Sequence, residues 1–423
     1  MRTSHFVVVA AFAVGASLNA QTLAITGGTV YPVSGPKIEK GTILIKDGKV
    51  VAVGAAVVVP AGTKTIDATG KWITPGLINI VTTLGLGEGN VPTQSGGYND
   101  SRTKGDKGVA ADFAAWTGLN PASTFIPQAR KGGVTTVGVW PSRGNLIGGK
   151  AAIIDLTGES LSSMLVKSPI AMMGQFGDPT EARGEAFGRF REILADAKAY
   201  SLRKAQFESG ASRAFAASRS NLEALGPVIA GSMPLAIEAD RAADIRTALA
   251  VAREFSLKLI ILSGAEAWEV AKELAAARVP VLTGAMSNIP GSFNTLGSRQ
   301  ENAAILRAAG VQVALIGNGG GMEDNYNVRN IRFEAGNAVA YGMSWDDALR
   351  AVTIVPAELF GAGNQIGSLQ AGREANLVIW SGDPFEISTV PEHVFIRGAE
   401  NTALSREEEL AQRYKDKPPT YKK

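Results

Sequence analysis

The chain has 423 residues, of which 45% are hydrophobic, and a formal net charge of +3. It is long enough to bury a large core, and so small a charge with no concentrated Lys/Arg block argues against nucleic-acid binding. There is no cysteine, which excludes disulfides, thiolate metal ligands and a cysteine nucleophile. The two histidines are His5 and His393, so residues 21–392 contain none.

Residues 1–20 have the pattern of a cleavable export signal. Arg2 gives the positive start, Phe6–Ala16 the apolar stretch, and Leu18-Asn19-Ala20 a cleavage site before Gln21. A membrane-spanning helix needs about 20 apolar residues, so we expect release rather than a stable membrane span, with a short anchor as the alternative. The absence of cysteine suits an oxidising compartment. The prediction is a periplasmic or secreted protein.

The two ends of the mature chain are predicted to form strands of one small domain. Thr42–Lys46 and Val50–Val53 flank Asp47-Gly48, a dipeptide typical of a two-residue hairpin turn. Ala375–Trp380 and Val394–Arg397 are again strand-like. We expect a composite β-sandwich whose two parts are residues 21–75 and 366–405, followed by a charged tail at 406–423.

Residues 76–365 alternate short apolar runs with amphipathic helices, which is typical of a parallel α/β fold. An eighth strand would complete a (β/α)8 TIM-type barrel. The hydrophobic pattern does not show where this strand lies, because the candidate Lys150–Ile154 also fits a hairpin. The predicted strands are Leu77–Val81, Thr135–Val139, Ile170–Gly174, Leu235–Ala239, Lys258–Leu262, Pro280–Thr283 and Gln312–Ile316, and the predicted helices are Glu181–Phe207, Arg241–Phe255, Glu266–Ala277 and Arg299–Ala309.

Residues 87–128 are rich in Gly, Asn, Ser and Pro and have little periodicity. They are too many for an ordinary connection. Because they follow the first barrel strand, they would lie over the mouth of the barrel. A lid and a disordered insertion both fit this pattern.

Three phrases carry a resemblance to a known family. Lys71–Leu86 contains Pro-Gly-Leu-Ile, Ala348–Gly361 is a candidate closing helix, and Ile366–Trp380 leads back into the small domain. Together they resemble the amidohydrolase superfamily, most closely its imidazolonepropionase-like branch, over about Ile25–Arg397. The resemblance implies a metal-dependent hydrolase of carbon–nitrogen bonds, with zinc or another divalent metal at the barrel mouth.

The family's site positions hold other residues in this chain. In the family the first phrase continues Asp-x-His-x-His, and the two histidines bind metal. Zinc sites use about three protein ligands, so we expect no metal cofactor here. The resemblance places Asn79 at the aspartate, Val81 and Thr83 at the histidines, Gln175 at a lysine or carboxylate position, Glu238 and Asp240 at a His-Ala-His-like pattern, Ser263 at another histidine and Asn318 at the proton-shuttling aspartate.

Two other interpretations of these positions stay open, two rim carboxylates and a site for a hard cation. We expect Glu238 and Asp240 to point to opposite faces of their strand, as rim residues rather than a carboxylate pair. Alternatively, oxygens of Glu238, Asn318 and Asp324 could bind a hard cation such as Ca²⁺ or Mg²⁺.

Two functional hypotheses follow. The first is a catalytically degenerate protein that is a scaffold or partner subunit of an active paralogue, in a homo- or hetero-oligomer, with room for a small-molecule ligand in the barrel mouth. The second is a hydrolase with an atypical site that acts on non-peptide, cyclic amide or dipeptide-like carbon–nitrogen bonds.

Overall fold

The computed structural model describes residues 22–88, 98–176, 182–209, 213–317 and 325–415. The predicted export signal, Asn318 and Asp324 therefore lie outside the described residues, as does the end of the charged tail. Within the described ranges, no helix is long and apolar enough to cross a membrane.

The described residues form both strands and α-helices, as the sequence predicts. The strands are β1 Thr22–Val30, β2 Ile38–Lys46, β3 Lys49–Gly54, β4 Lys64–Asp67, β5 Trp72–Pro75, β6 Leu77–Thr82, β7 Gly87–Glu88, β8 Tyr98–Asn99, β9 Val134–Val139, β10 Ile147–Asp155, β11 Leu165–Gln175, β12 Leu235–Ala239, β13 Leu259–Ser263, β14 Val281–Thr283, β15 Val313–Leu315, β16 Leu377–Trp380, β17 Pro391–Ile396 and β18 Ala399–Glu400. The α-helices are α1 Phe125–Lys131, α2 Leu161–Met164, α3 Arg183–Glu208, α4 Arg219–Ile229, α5 Ala242–Phe255, α6 Ala271–Ala277, α7 Asn302–Ala308, α8 Ile331–Ala340, α9 Trp345–Ala351, α10 Ile354–Leu359 and α11 Arg406–Tyr414.

The two ends of the chain share one sheet, as predicted. Its strand order is β18-β17-β16-β5-β1-β2-β3, with β4 beside β1. The pairing of β16 with β5, in which Leu377 lies opposite Pro75, joins the C-terminal strands to the N-terminal ones. Alternate side chains of these strands are buried in a core of their own, including Ile25, Ile43, Ile73 and Phe395.

The central part of the chain forms a nearly closed barrel, which confirms the TIM-type prediction. The sheet order is β15-β14-β13-β12-β11-β10-β9-β6, and all seven predicted strands are present. Helices α3, α5 and α7 match the predicted helices closely, whereas the helix predicted at Glu266–Ala277 is a 3₁₀ turn at Ala267–Val270 followed by α6. Gly76 allows β6 to start against β9, because a Cβ there would lie 2.1 Å from Thr135 Oγ1.

The eighth strand of the barrel is β10, and it runs antiparallel to both β9 and β11. The reason is the short connection at residues 140–146, since a parallel strand would need a crossover of a dozen or more residues. The hairpin interpretation of Lys150–Ile154 is therefore confirmed. The barrel departs here from eight identical βα units.

The described part of the long insertion, residues 98–128, is folded onto the start of β10. Ala110 N donates to Ile147 O at 2.8 Å and Lys150 N donates to Phe113 O at 2.8 Å. Val109 and Ala115 are buried in the main core. Since β10 starts beside the end of β11, this segment lies at the mouth side of the barrel, and the disordered alternative is wrong for these residues.

A buried carboxylate joins the barrel to the terminal sheet. Asp155, at the end of β10, is fully buried. It accepts hydrogen bonds from Thr136 Oγ1 at 2.7 Å, Asn376 Nδ2 at 2.9 Å and Arg397 Nε at 2.8 Å. Burial raises the pKa of Asp155, while Arg397 and the other donors oppose that rise.

We expect Arg397→Gln to lower the free energy of unfolding by on the order of 3 kcal/mol at neutral pH, because it leaves the buried carboxylate without its cation. The loss should grow with pH: without the guanidinium, the pKa of Asp155 rises further, and a group with a raised folded-state pKa costs stability once it ionises. Urea unfolding at pH 5 and pH 8 measures both effects.

The matched control is Lys49→Gln, which removes the exposed partner of Glu374 in the same sheet. It should cost less than about 1 kcal/mol, as exposed ion pairs do. Equal losses for the two variants, or a loss from Arg397→Gln that does not grow with pH, would contradict the assigned role of Asp155.

Candidate functional site

The carboxyl ends of the parallel strands meet at one end of the barrel, where TIM-type proteins place their working residues. Adjacent strands bring the predicted positions together, because Gln175 lies opposite Glu238 and Ala239 lies opposite Ser263. Beneath them the interior is filled by apolar side chains, among them Ile80, Trp140, Met173, Ala236, Leu262 and Ile316. The site is therefore a shallow polar rim above an apolar plug.

The positions that the family gives to the first two histidines lie at the end of β6. Val81 packs against the interior cluster, while Thr82 turns away and donates to Gly138 O at 2.8 Å. Thr83 follows directly after the end of β6 and is half-buried. A valine side chain has no electron pair to donate to a metal. The positions that match the family's metal ligands are therefore present here, but without their histidine donors.

Asn79 lies on the outer side of β6, between the barrel and the turn before α8. Its Nδ2 donates to Val328 O at 3.3 Å. Its Oδ1 is buried and has no hydrogen-bond partner among the described residues. Here the amide serves packing between β6 and the helical layer.

The connection at residues 140–146 reaches the polar rim of the mouth. Arg143 Nε lies 2.8 Å from Glu238 Oε2, and the Glu238 side chain is only 13% exposed. Gly144 N donates to Gln175 Oε1 at 2.9 Å. Sequence reasoning missed Arg143, because nothing in the local pattern showed that β10 returns antiparallel and brings this turn to the mouth.

The predicted geometry of Glu238 and Asp240 was wrong. Side chains two residues apart share a strand face, and Ala236 on that face belongs to the barrel interior, so Glu238 points inward. Asp240 lies just past β12, and its Oδ1 accepts from Ala265 N at 3.3 Å. The two carboxylates are still not a pair, because one binds Arg143 and the other binds the neighbouring turn.

Ser263 ends β13 in an unusual backbone conformation. Its φ of 70° lies in the left-handed region and is followed by Gly264 at 60°, so the chain turns sharply and brings Ala265 to Asp240. For a residue with a side chain this conformation costs on the order of 1 kcal/mol. A serine hydroxyl held in this way is a weak substitute for an imidazole ligand.

The described side chains do not fit a transition-metal site. No group of three His, Asp or Glu side chains that could hold a metal ion occurs in the described ranges. His393 lies on β17 in the terminal sheet, where its Nδ1 is 2.6 Å from Glu400 Oε1. Asn318 and Asp324 lie outside the described residues, so the hard-cation hypothesis stays a prediction.

Comparison with known proteins gives the same family from sequence and from structure. The model of the Amidohydrolase family matches residues 217–403. Amidohydrolase tasK of Hapsidospora irregularis is 23% identical over 85% of this chain, which spans only 39% of that relative's length. Imidazolonepropionase of Acidiphilium cryptum (strain JF-5) is 26% identical, over 82% of this chain and 89% of the relative.

A solved amidohydrolase from Thermotoga maritima MSB8 has a TM-score of 0.80 and 28% sequence identity, over 89% of this chain and 99% of that one. The likeness therefore includes the barrel together with the terminal sheet. With the family-model match and the imidazolonepropionase relatives, it supports the amidohydrolase superfamily as the family of this chain.

Proposed function

We propose that this protein is an exported amidohydrolase-superfamily member that no longer performs metal-dependent hydrolysis and acts as a partner subunit or scaffold for an active paralogue. The observation that carries the proposal is the set of side chains at the barrel mouth, where Val81, Thr83 and Ser263 occupy positions that the family resemblance assigns to metal-binding histidines. The barrel is kept, and the donors that would activate water are replaced.

Without the metal-binding donors, water at the barrel mouth is not activated by a metal. Metal coordination lowers the pKa of water from about 15.7 to about 7, and each pKa unit corresponds to about 1.4 kcal/mol. One carboxylate at the mouth, Glu238, already has a cationic neighbour in Arg143. To accept a proton from water, Glu238 would lose the charge that pairs it with Arg143.

A surface for the partner is suggested at the barrel mouth, in the turn after β14. Within a few residues this turn exposes Ile289 by 63%, Phe293 by 89% and Leu296 by 58%. Apolar side chains exposed together, rather than singly, mark interaction sites. Since a turn after a parallel strand lies on the carboxyl face, a partner seated here would also cover the mouth.

The alternative is a working hydrolase of carbon–nitrogen bonds with an atypical site. The similarity to imidazolonepropionases over more than four fifths of this chain favours it. Such an enzyme would need to act through Glu238, Gln175 or residues outside the described ranges. Bound metal and turnover distinguish this hydrolase from a degenerate partner subunit.

Tag-free protein from zinc-supplemented medium should carry far less than one equivalent of transition metal after dialysis, because three of the carried-over ligand positions are valine, threonine and serine. Elemental analysis by plasma mass spectrometry measures the content. A family member with the complete histidine motif, prepared in parallel, should keep its metal. Stoichiometric zinc or manganese in this protein would rule out the proposal.

The double variant Val81→His and Thr83→His should remain inactive on a panel of cyclic amides and dipeptides. It restores two donors, whereas a zinc site needs about three, and Ser263 is unchanged. Product formation followed by mass spectrometry is the measurement, with the full-motif family member as the positive control. Turnover at enzyme-like rates, in the variant or in the unmodified protein, would favour the hydrolase alternative.

Co-expressed with a full-motif paralogue from the same genome, the protein should co-purify as a stoichiometric complex, since a stable interface of about 1,200–2,000 Å² is within reach of surfaces of this size. Size-exclusion chromatography with light scattering at micromolar concentration measures it. Ile289→Ser with Phe293→Ser should weaken the complex, and the matched exposed change Val58→Ser should not. Two independent peaks for the unmodified pair would remove the partner role.

A further inference from the structure

A cavity opens at the opposite end of the barrel from the polar rim of the mouth. It has a volume of about 570 Å³ and lies among the amino ends of β11, β12, β13 and β14, beside the end of α10. Pockets that hold small molecules generally have volumes of about 300–1,000 Å³. The size therefore suits a small organic molecule.

The floor of this cavity is apolar. Ile170, Ile260 and Phe360 line it, and all three belong to the buried cluster that fills the barrel interior. Three prolines also line it: Pro234 and Pro280 directly precede β12 and β14, and Pro169 lies in the first half of β11. Proline has no backbone N–H, so the donors available here come mainly from side chains.

The rim of the cavity carries a concentration of positive charge. Lys167, Lys258 and Arg278 line it, and Glu358 is the one carboxylate among the lining residues. Lys167 Nζ donates to Gly361 O at 3.1 Å, which leaves two of its three donors for another partner. Lys258 and Arg278 are exposed, and neither has an ion pair among the residues that the structure describes.

The backbone explains why two of these cations meet. Helices α5 and α6 each end in a left-handed residue, Ser256 at φ 57° and Arg278 at φ 54°, and the following strand begins three residues later in both cases. Two neighbouring turns of the same shape thus lie side by side, and they present Lys258 and Arg278 to one opening. Cations also suit the negative ends of helices, but that role does not require the two side chains to line one cavity.

We propose that this cavity binds a small organic anion, a molecule with an apolar body and one carboxylate or phosphate group. The body would contact Ile260 and Phe360, and the anionic group would accept hydrogen bonds from Lys167, Lys258 and Arg278. The arrangement is independent of the barrel mouth, so it holds whether or not the protein is catalytic.

The test uses three fluorinated probes on the full mature chain: 4-fluorophenylacetate, 4-fluorophenyl phosphate and the neutral 4-fluorophenylacetamide. Fluorine NMR and calorimetry should show binding of at least one of the two anions and not of the amide. Comparison of the two anions identifies the preferred group. Equal binding of the amide, no binding of either anion at millimolar concentration, or equally tight binding of inorganic phosphate would overturn the proposal.

The site is assigned by variants at exposed positions, which should fold normally as checked by thermal unfolding. Lys258→Gln with Arg278→Gln should weaken anion binding at least about tenfold, because hydrogen bonds to charged groups are lost. Ala277→Trp should block the opening. The matched control is Arg253→Gln with Lys272→Gln, which removes the same charge from α5 and α6 away from the cavity. Unchanged binding in both cavity variants would place the anion elsewhere and refute the assignment.

Discussion

The buried Asp155 carboxylate is the interaction on which the assembly of this chain depends. Removal of a charge from water costs several kcal/mol unless it is paired and hydrogen-bonded. Its three donors come from different parts of the chain: Thr136 from the barrel, and Asn376 and Arg397 from the terminal sheet. The carboxylate is therefore satisfied only when the barrel and the sheet are both in place, so neither part is complete without the other.

Asn376 shows why this constraint favours an amide beside the buried acid. An aspartate at this position would set a second carboxylate against Asp155. The amide instead donates from Nδ2 to Asp155 and accepts at Oδ1 from Arg397 N at 2.8 Å. One side chain thus serves both the buried acid and the turn that carries its counter-ion.

Elements with a strong local pattern were predictable, and elements set by long-range contacts were not. The apolar runs of β6, β12 and β13 are short, buried and bounded by turn residues, so their existence could be read directly. β10 has the same composition as a parallel strand, and its direction depends on the short connection at residues 140–146. Periodicity records which face of a strand is buried and carries no information about direction.

The contacts at the mouth of the barrel depend on the antiparallel direction of β10. At the site, the loss of donors at Val81 and Thr83 could be read from the family phrase alone, whereas the partner of Glu238 could not. β9 is joined to β10 by the short connection at residues 140–146 instead of a helix, so this connection itself reaches the rim. Arg143 contacts Glu238 and Gly144 contacts Gln175. Glu238 and Gln175, which match site positions of the family, are thus bound by residues of this connection instead of a metal. New histidines would leave Arg143 beside Glu238, so a return to metal chemistry would require the turn to move as well.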